Sequence, residues 1–163
     1  MNKYFLTCIT FICFLLCSCQ FSQGARKDLV TGLTTSYNGF ALDDIYLADA
    51  GGNKLSSNRV RLGTMVMVVA NGVDFFSVKD DKVFPGCRII LRDESGKEVL
   101  DLPDAFTDLP NGLPESEARQ LRAKLNTGTP MEVGKTYQLS VRFFDKMKKE
   151  NEIISNVALV VND

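Results

Sequence analysis

Tyr137-Gln138-Leu139-Ser140-Val141-Arg142-Phe143 alternates strictly between apolar and polar side chains. On an extended backbone Tyr137, Leu139, Val141 and Phe143 share one face, and Gln138, Ser140 and Arg142 share the other. That period of two marks a strand with one face in a core. Lys146 to Asn151 turns the chain, and Val157, Leu159 and Val161 repeat the pattern in a final strand.

The same signal recurs upstream. Leu33, Thr35 and Tyr37 alternate in a first strand that Asn38-Gly39 ends, and Leu42 to Asp49 forms a second, closed by Ala50-Gly51-Gly52. Arg59 to Ala70 is predicted as one strand. Its unbroken run Met65-Val66-Met67-Val68-Val69 suits a central position covered on both faces. Cys87 to Arg92 and Lys97 to Leu102 make a hairpin around Asp93-Glu94-Ser95-Gly96, with Gly96 free to take a positive φ. It resembles the segment 45–55, a likeness that shared turn chemistry explains as well as duplication does.

A helical pattern occurs at Pro114 to Leu125. Pro114 sits at the first helical position, Glu115 and Glu117 follow in the first turn, and Ala118, Leu121 and Leu125 lie on one side. Seven to eight strands, one short helix and no βαβ rhythm predict an all-β antiparallel sandwich. Gly134-Lys135-Thr136-Tyr137-Gln138-Leu139-Ser140-Val141 resembles the tyrosine-corner strand of immunoglobulin-like and fibronectin-type domains. The resemblance implies that the Tyr137 hydroxyl bonds to backbone just upstream. A C2-like or jelly-roll sandwich is the alternative.

The N-terminus carries an export signal: Lys3, then the uncharged 13-residue apolar stretch Tyr4 to Leu16. A membrane span needs about 20 residues, so this stretch is too short to cross the hydrocarbon. Leu16-Cys17-Ser18-Cys19, at its border, resembles the lipobox of bacterial lipoproteins. The resemblance implies cleavage before Cys19, a diacylglyceryl group on its sulfur and a third acyl chain on its amine. It also implies a cell-envelope address, the outer membrane being favoured by Gln20 where retention signals place aspartate. Secretion with cleavage after Gly24 is the alternative. Residues 1–18 are thus expected to be signal, 19–28 a polar tether and 29–163 a single domain.

Cys8, Cys13 and Cys17 would leave with the signal, and an acylated Cys19 leaves Cys87 without a disulfide partner. A lone thiol in an exported protein is expected in the core. Cleavage removes one of 19 basic residues and none of the 20 acidic ones, so the mature net charge is near −2. Lys146, Lys148 and Lys149 are the densest basic patch, with Glu150 beside them, and nucleic acid is not an expected partner.

The chain has no histidine and no tryptophan. Ser-His-Asp and Cys-His catalysis and His-ligated zinc are therefore ruled out. Gly-x-Ser-x-Gly, Ser-x-x-Lys, P-loop and Gly-x-Gly-x-x-Gly motifs are absent as well. Carboxylates remain. Asp43-Asp44 and Asp93-Glu94 are neighbours on or beside strands and would point apart, which is poor geometry for glycoside hydrolysis. Asp101, Asp104, Asp108 and Asn111 crowd one loop and are the candidate calcium ligands, although their spacing does not follow the EF-hand rule. Phe75, Phe76 and Phe144 are the candidate partner contacts. The expectation is a lipid-anchored, non-catalytic binding, adhesion or assembly module meeting an envelope protein or glycan. A carrier of apolar ligands in a β-barrel is the alternative, and a glycan-acting enzyme the third.

Overall fold

Two facing sheets take up these alternating segments in a computed structural model that describes residues 22–163. Ten strands occur among the described residues: β1 (Gln23–Lys27), β2 (Thr34–Asn38), β3 (Asp44–Asp49), β4 (Arg59–Arg61), β5 (Met65–Asn71), β6 (Pro85–Arg92), β7 (Glu98–Leu102), β8 (Gln120–Asn126), β9 (Thr136–Asp145) and β10 (Glu152–Asn162). One four-residue helix, α1 (Glu115–Ala118), precedes β8. Among the described residues no helix is long and apolar enough to cross a membrane.

The larger sheet has the order β1-β2-β10-β9-β6-β7, with β4 added in parallel to β10; the smaller is β3-β5-β8. With β3, β5 and β8 as strands A, B and E, and β6, β7, β9 and β10 as C, C′, F and G, this is the arrangement of an immunoglobulin-like sandwich. Strand D is missing, and residues 103–119 take its place. Register aligns the inward side chains in rows. Cys87, Phe143 and Ile153 face one another across β6, β9 and β10, as do Leu91, Leu139 and Val157. Opposite them Leu47, Val68 and Ala123 form a row across the smaller sheet. All of these are buried.

Three segments differ from expectation. The predicted strand over 59–70 is two strands in different sheets, because the chain crosses the sandwich at Leu62-Gly63-Thr64, where Gly63 has φ +80. Thr127 pins that corner: its hydroxyl lies 2.6 Å from the Arg61 carbonyl and accepts Thr64 N–H at 2.9 Å. The predicted helix over 114–125 stops at Ala118, and 120–126 is strand. Leu121, Ala123 and Leu125 are buried while Gln120, Arg122 and Lys124 are exposed, a period of two that outweighs the weak helical spacing. Finally, the expected tether contains β1, whose five residues all pair with β2.

The tyrosine corner is present. The Tyr137 hydroxyl accepts Glu132 N–H at 3.0 Å and lies 3.5 Å from the Pro130 carbonyl. Tyr137→Phe is expected to cost about 1 kcal/mol in urea unfolding while leaving the fold intact. The strand at 120–126 has its own check. Ala123→Asp should cost more than about 3 kcal/mol, and Lys124→Ala should stay within about 0.5 kcal/mol, since only the first puts a charge in the core.

Candidate functional site

Two of the four candidate calcium ligands, Asp101 in β7 and Asp104 just beyond it, are engaged in structural bonds. Arg88 holds Asp101 through two parallel bonds of 2.8 and 3.0 Å, and this pairing draws the Asp101 carboxyl below its ordinary value. Asp104 accepts the N–H groups of Cys87 at 3.0 Å and Phe106 at 2.9 Å, and Lys146 Nζ stands 2.7 Å from its second oxygen. Burial alone would raise the Asp104 carboxyl; the lysine and the two amides outweigh it and hold the group low. Ala105 N–H in turn donates to the Cys87 carbonyl at 2.6 Å, so residues 104–105 close the edge of β6 beyond the end of β7. Asp108 and Asn111 are exposed and lie apart from that clamp. Among the described residues no three His, Cys, Asp or Glu side chains are placed to hold a metal ion.

The three candidate aromatics part company. Phe76 is buried, its ring 4.6 Å from Phe40, and it plugs one end of the core instead of facing a partner. Phe144 is half-buried, lies over Gly86 where no side chain would fit, and stacks under Arg142 at 4.9 Å. Phe75 alone is exposed. Cys87 is fully buried, and desolvation, with the nearby Asp104 charge, pushes its thiol up to about 12. It is a core residue without nucleophilic character. Cys19 lies outside the described residues.

The sandwich interior is filled by side chains, with Phe40, Leu47, Phe143 and Leu159 wholly enclosed. An open groove of about 500 Å³ lies on the flank where strand D is missing. Leu102, Ala105, Phe106, Leu109, Leu113 and Leu121 supply its apolar lining, and Arg122, Lys124 and Asp108 its charges. Among the described residues, β8, which borders the groove, pairs only with β5, leaving its other edge open. Arg122 and Lys124, in the middle of that edge, have no acidic partner within ion-pair distance among the described residues. The sequence reading missed this site because it made 120–125 helical. The alternation of Leu121, Ala123 and Leu125 with Arg122 and Lys124 was the available signal.

No protein-family model matches this chain, and no curated protein matches it either.

Two titrations test the clamp around Cys87. Asp104→Asn should cost about 2 kcal/mol at pH 7, as charge-assisted bonds to partly buried groups do. A depressed carboxyl stabilises above its unfolded value and loses that contribution as pH falls through the folded one, so urea unfolding at pH 3 should show a smaller penalty. The raised thiol has the opposite sign. Its preference for the folded state is complete below about pH 9 and fades as pH climbs toward 12, so iodoacetamide at pH 9 should label Cys87 only after denaturation.

Proposed function

We propose that this chain is a lipid-anchored cell-envelope protein. Its sandwich is a non-catalytic binding module whose open β8 edge receives an extended segment of another envelope protein. The observation that carries the reading is the free edge of β8 beside an apolar groove. Main-chain groups on such an edge can pair with an added strand, and pockets alongside it select alternate side chains. Arg122 and Lys124 protect the edge from indiscriminate pairing, as edge lysines commonly do, and favour a segment that carries acidic residues.

The lipid anchor is supported by Leu16-Cys17-Ser18-Cys19 and by the bonds that Ser22 and β1 make to the domain. The alternative cleavage after Gly24 would cut β1 in two and discard Ser22, whose carbonyl and hydroxyl both bond to the domain. Cleavage before Cys19 leaves all of it intact. Acyl chains contribute about 0.8 kcal/mol per buried methylene, so two or three hold the protein firmly to a bilayer.

The edge is tested with Lys124→Cys, which introduces an accessible thiol beside an inert Cys87. A photoreactive label at position 124, activated on intact cells, should give a discrete cross-linked species that the same label at position 97 does not. No species, or the same species from both positions, overturns binding at β8. Mass spectrometry of the mature N-terminus should find acylated Cys19, and an unmodified start at Ala25 removes the anchor.

A further inference from the structure

Ser22, the first described residue, is held twice: its carbonyl accepts Gly39 N–H at 2.7 Å and its hydroxyl donates to the Phe40 carbonyl at 2.5 Å. Gly39 lies against Asn151, whose Nδ2 donates to the Phe75 carbonyl at 3.0 Å. Asn38 Nδ2 reaches the Glu150 carbonyl at 2.8 Å. The point where the chain enters the fold, the 71–78 loop and the 146–150 turn therefore share one end of the sandwich.

That end displays apolar side chains to water. Phe75, Val78 and Met147, at 52%, 55% and 50% exposure, are three of the seven exposed large hydrophobics among the described residues. Asp145, itself fully buried, ties their loops together by accepting Ser77 N–H at 2.7 Å and Met147 N–H at 2.8 Å. Phe75 has φ +73, a conformation that bulky residues avoid at a cost of about 1–3 kcal/mol. Asp74 accepts its N–H at 2.8 Å, and this bond together with Asn151 fixes the strained residue with its ring outward.

We infer that this end docks on the bilayer surface, with Phe75, Val78 and Met147 entering the interface between headgroups and acyl chains. The inference rests on acylation of Cys19. Three peptide units separate Cys19 from Ser22 and span about 10 Å at full extension, so an acylated Cys19 brings this end of the sandwich to the headgroups. Charge attraction is not what holds it there. Lys79 and Lys82 flank Asp80 and Asp81, and Lys148-Lys149 adjoin Glu150. The contact is apolar burial, as for interfacial helices, with the acyl chains removing most of the entropic cost of association.

The chain has no tryptophan, so a single introduced one reports one location. Phe75→Trp, Met147→Trp and Val133→Trp are made in the full chain, purified in acylated form and reconstituted into phosphatidylcholine vesicles with or without brominated acyl chains. Val133, 44% exposed, precedes the start of β9, about 30 Å from the docking end. Bromolipid should abolish most of the emission at positions 75 and 147, at low and high salt alike, and leave position 133 unchanged. Flotation with the vesicles but no quenching at 75 or 147 leaves the anchor standing and overturns the docking. Equal quenching at all three positions overturns it too, because no end is then preferred. Shielding of position 75 only on addition of a cell extract assigns the patch to a protein partner and likewise overturns it. Protein that neither floats nor carries acyl groups removes the anchor itself, and the docking with it.

Discussion

Strand β10 has no free side, and the rest of the fold is arranged around that saturation. Along one side it pairs with β9 from Glu152 to Val160. Along the other it is shared: β2 runs antiparallel to 152–156, and β4 runs parallel to 160–162. In the gap, Asn58 Nδ2 donates to the Ala158 carbonyl at 2.8 Å and the Asn58 carbonyl accepts Val160 N–H at 3.0 Å. Buried main-chain groups demand partners, so dividing one edge between two strands of opposite direction sets the course of the N-terminal half. The first hairpin must arrive at the Glu152 end. The chain must then cross to the smaller sheet, return for three residues at β4, and cross once more at Gly63.

Those crossings explain how much of the fold could be recognised in the residues alone. Strands β6, β9 and β10 alternate in burial, and short turns close the β6–β7 and β9–β10 hairpins, so local pattern and tertiary structure agree there. The segment 59–70 looks continuous because apolar residues run through it; nothing local says that Val60 belongs to one layer and Val66 to the other. Only the pairing partners distinguish them: β10 for Val60, and β3 and β8 for Val66. In 114–125 two periods compete. Ala118, Leu121 and Leu125 fit a helix, and Leu121, Ala123 and Leu125 fit a strand. The open place beside β5 decides for the strand. Strand β1 was obscure for another reason: Gln23-Gly24-Ala25-Arg26-Lys27 has an almost wholly exposed, polar surface, and its order comes from main-chain bonds to β2.

The candidate sites divide along similar lines. Burial of Cys87 followed from the lack of a partner thiol, and the Tyr137 bonds followed from its place before an alternating strand. Asp104 looked like a metal ligand because its neighbours are acidic, yet it serves as a surrogate carbonyl for the amide of Cys87 and as the counter-ion of Lys146. Phe75 and Phe76 are adjacent and chemically identical, but a positive φ at the first sends one ring outward while the second packs on Phe40. Of the groove, only the β8 border had a local signal, in the alternation of Leu121, Ala123 and Leu125; Leu102 and Leu113 reach it from separate segments.

The N-terminal hairpin also has a mechanical meaning. A force applied along the axis of β1 runs across the hydrogen bonds that join it to β2. The five residue pairs of β1–β2, and the five that join β2 to β10, therefore resist sliding together and cannot be peeled open one at a time. A domain pulled along that axis is loaded in shear, the direction in which a β-ribbon best withstands force.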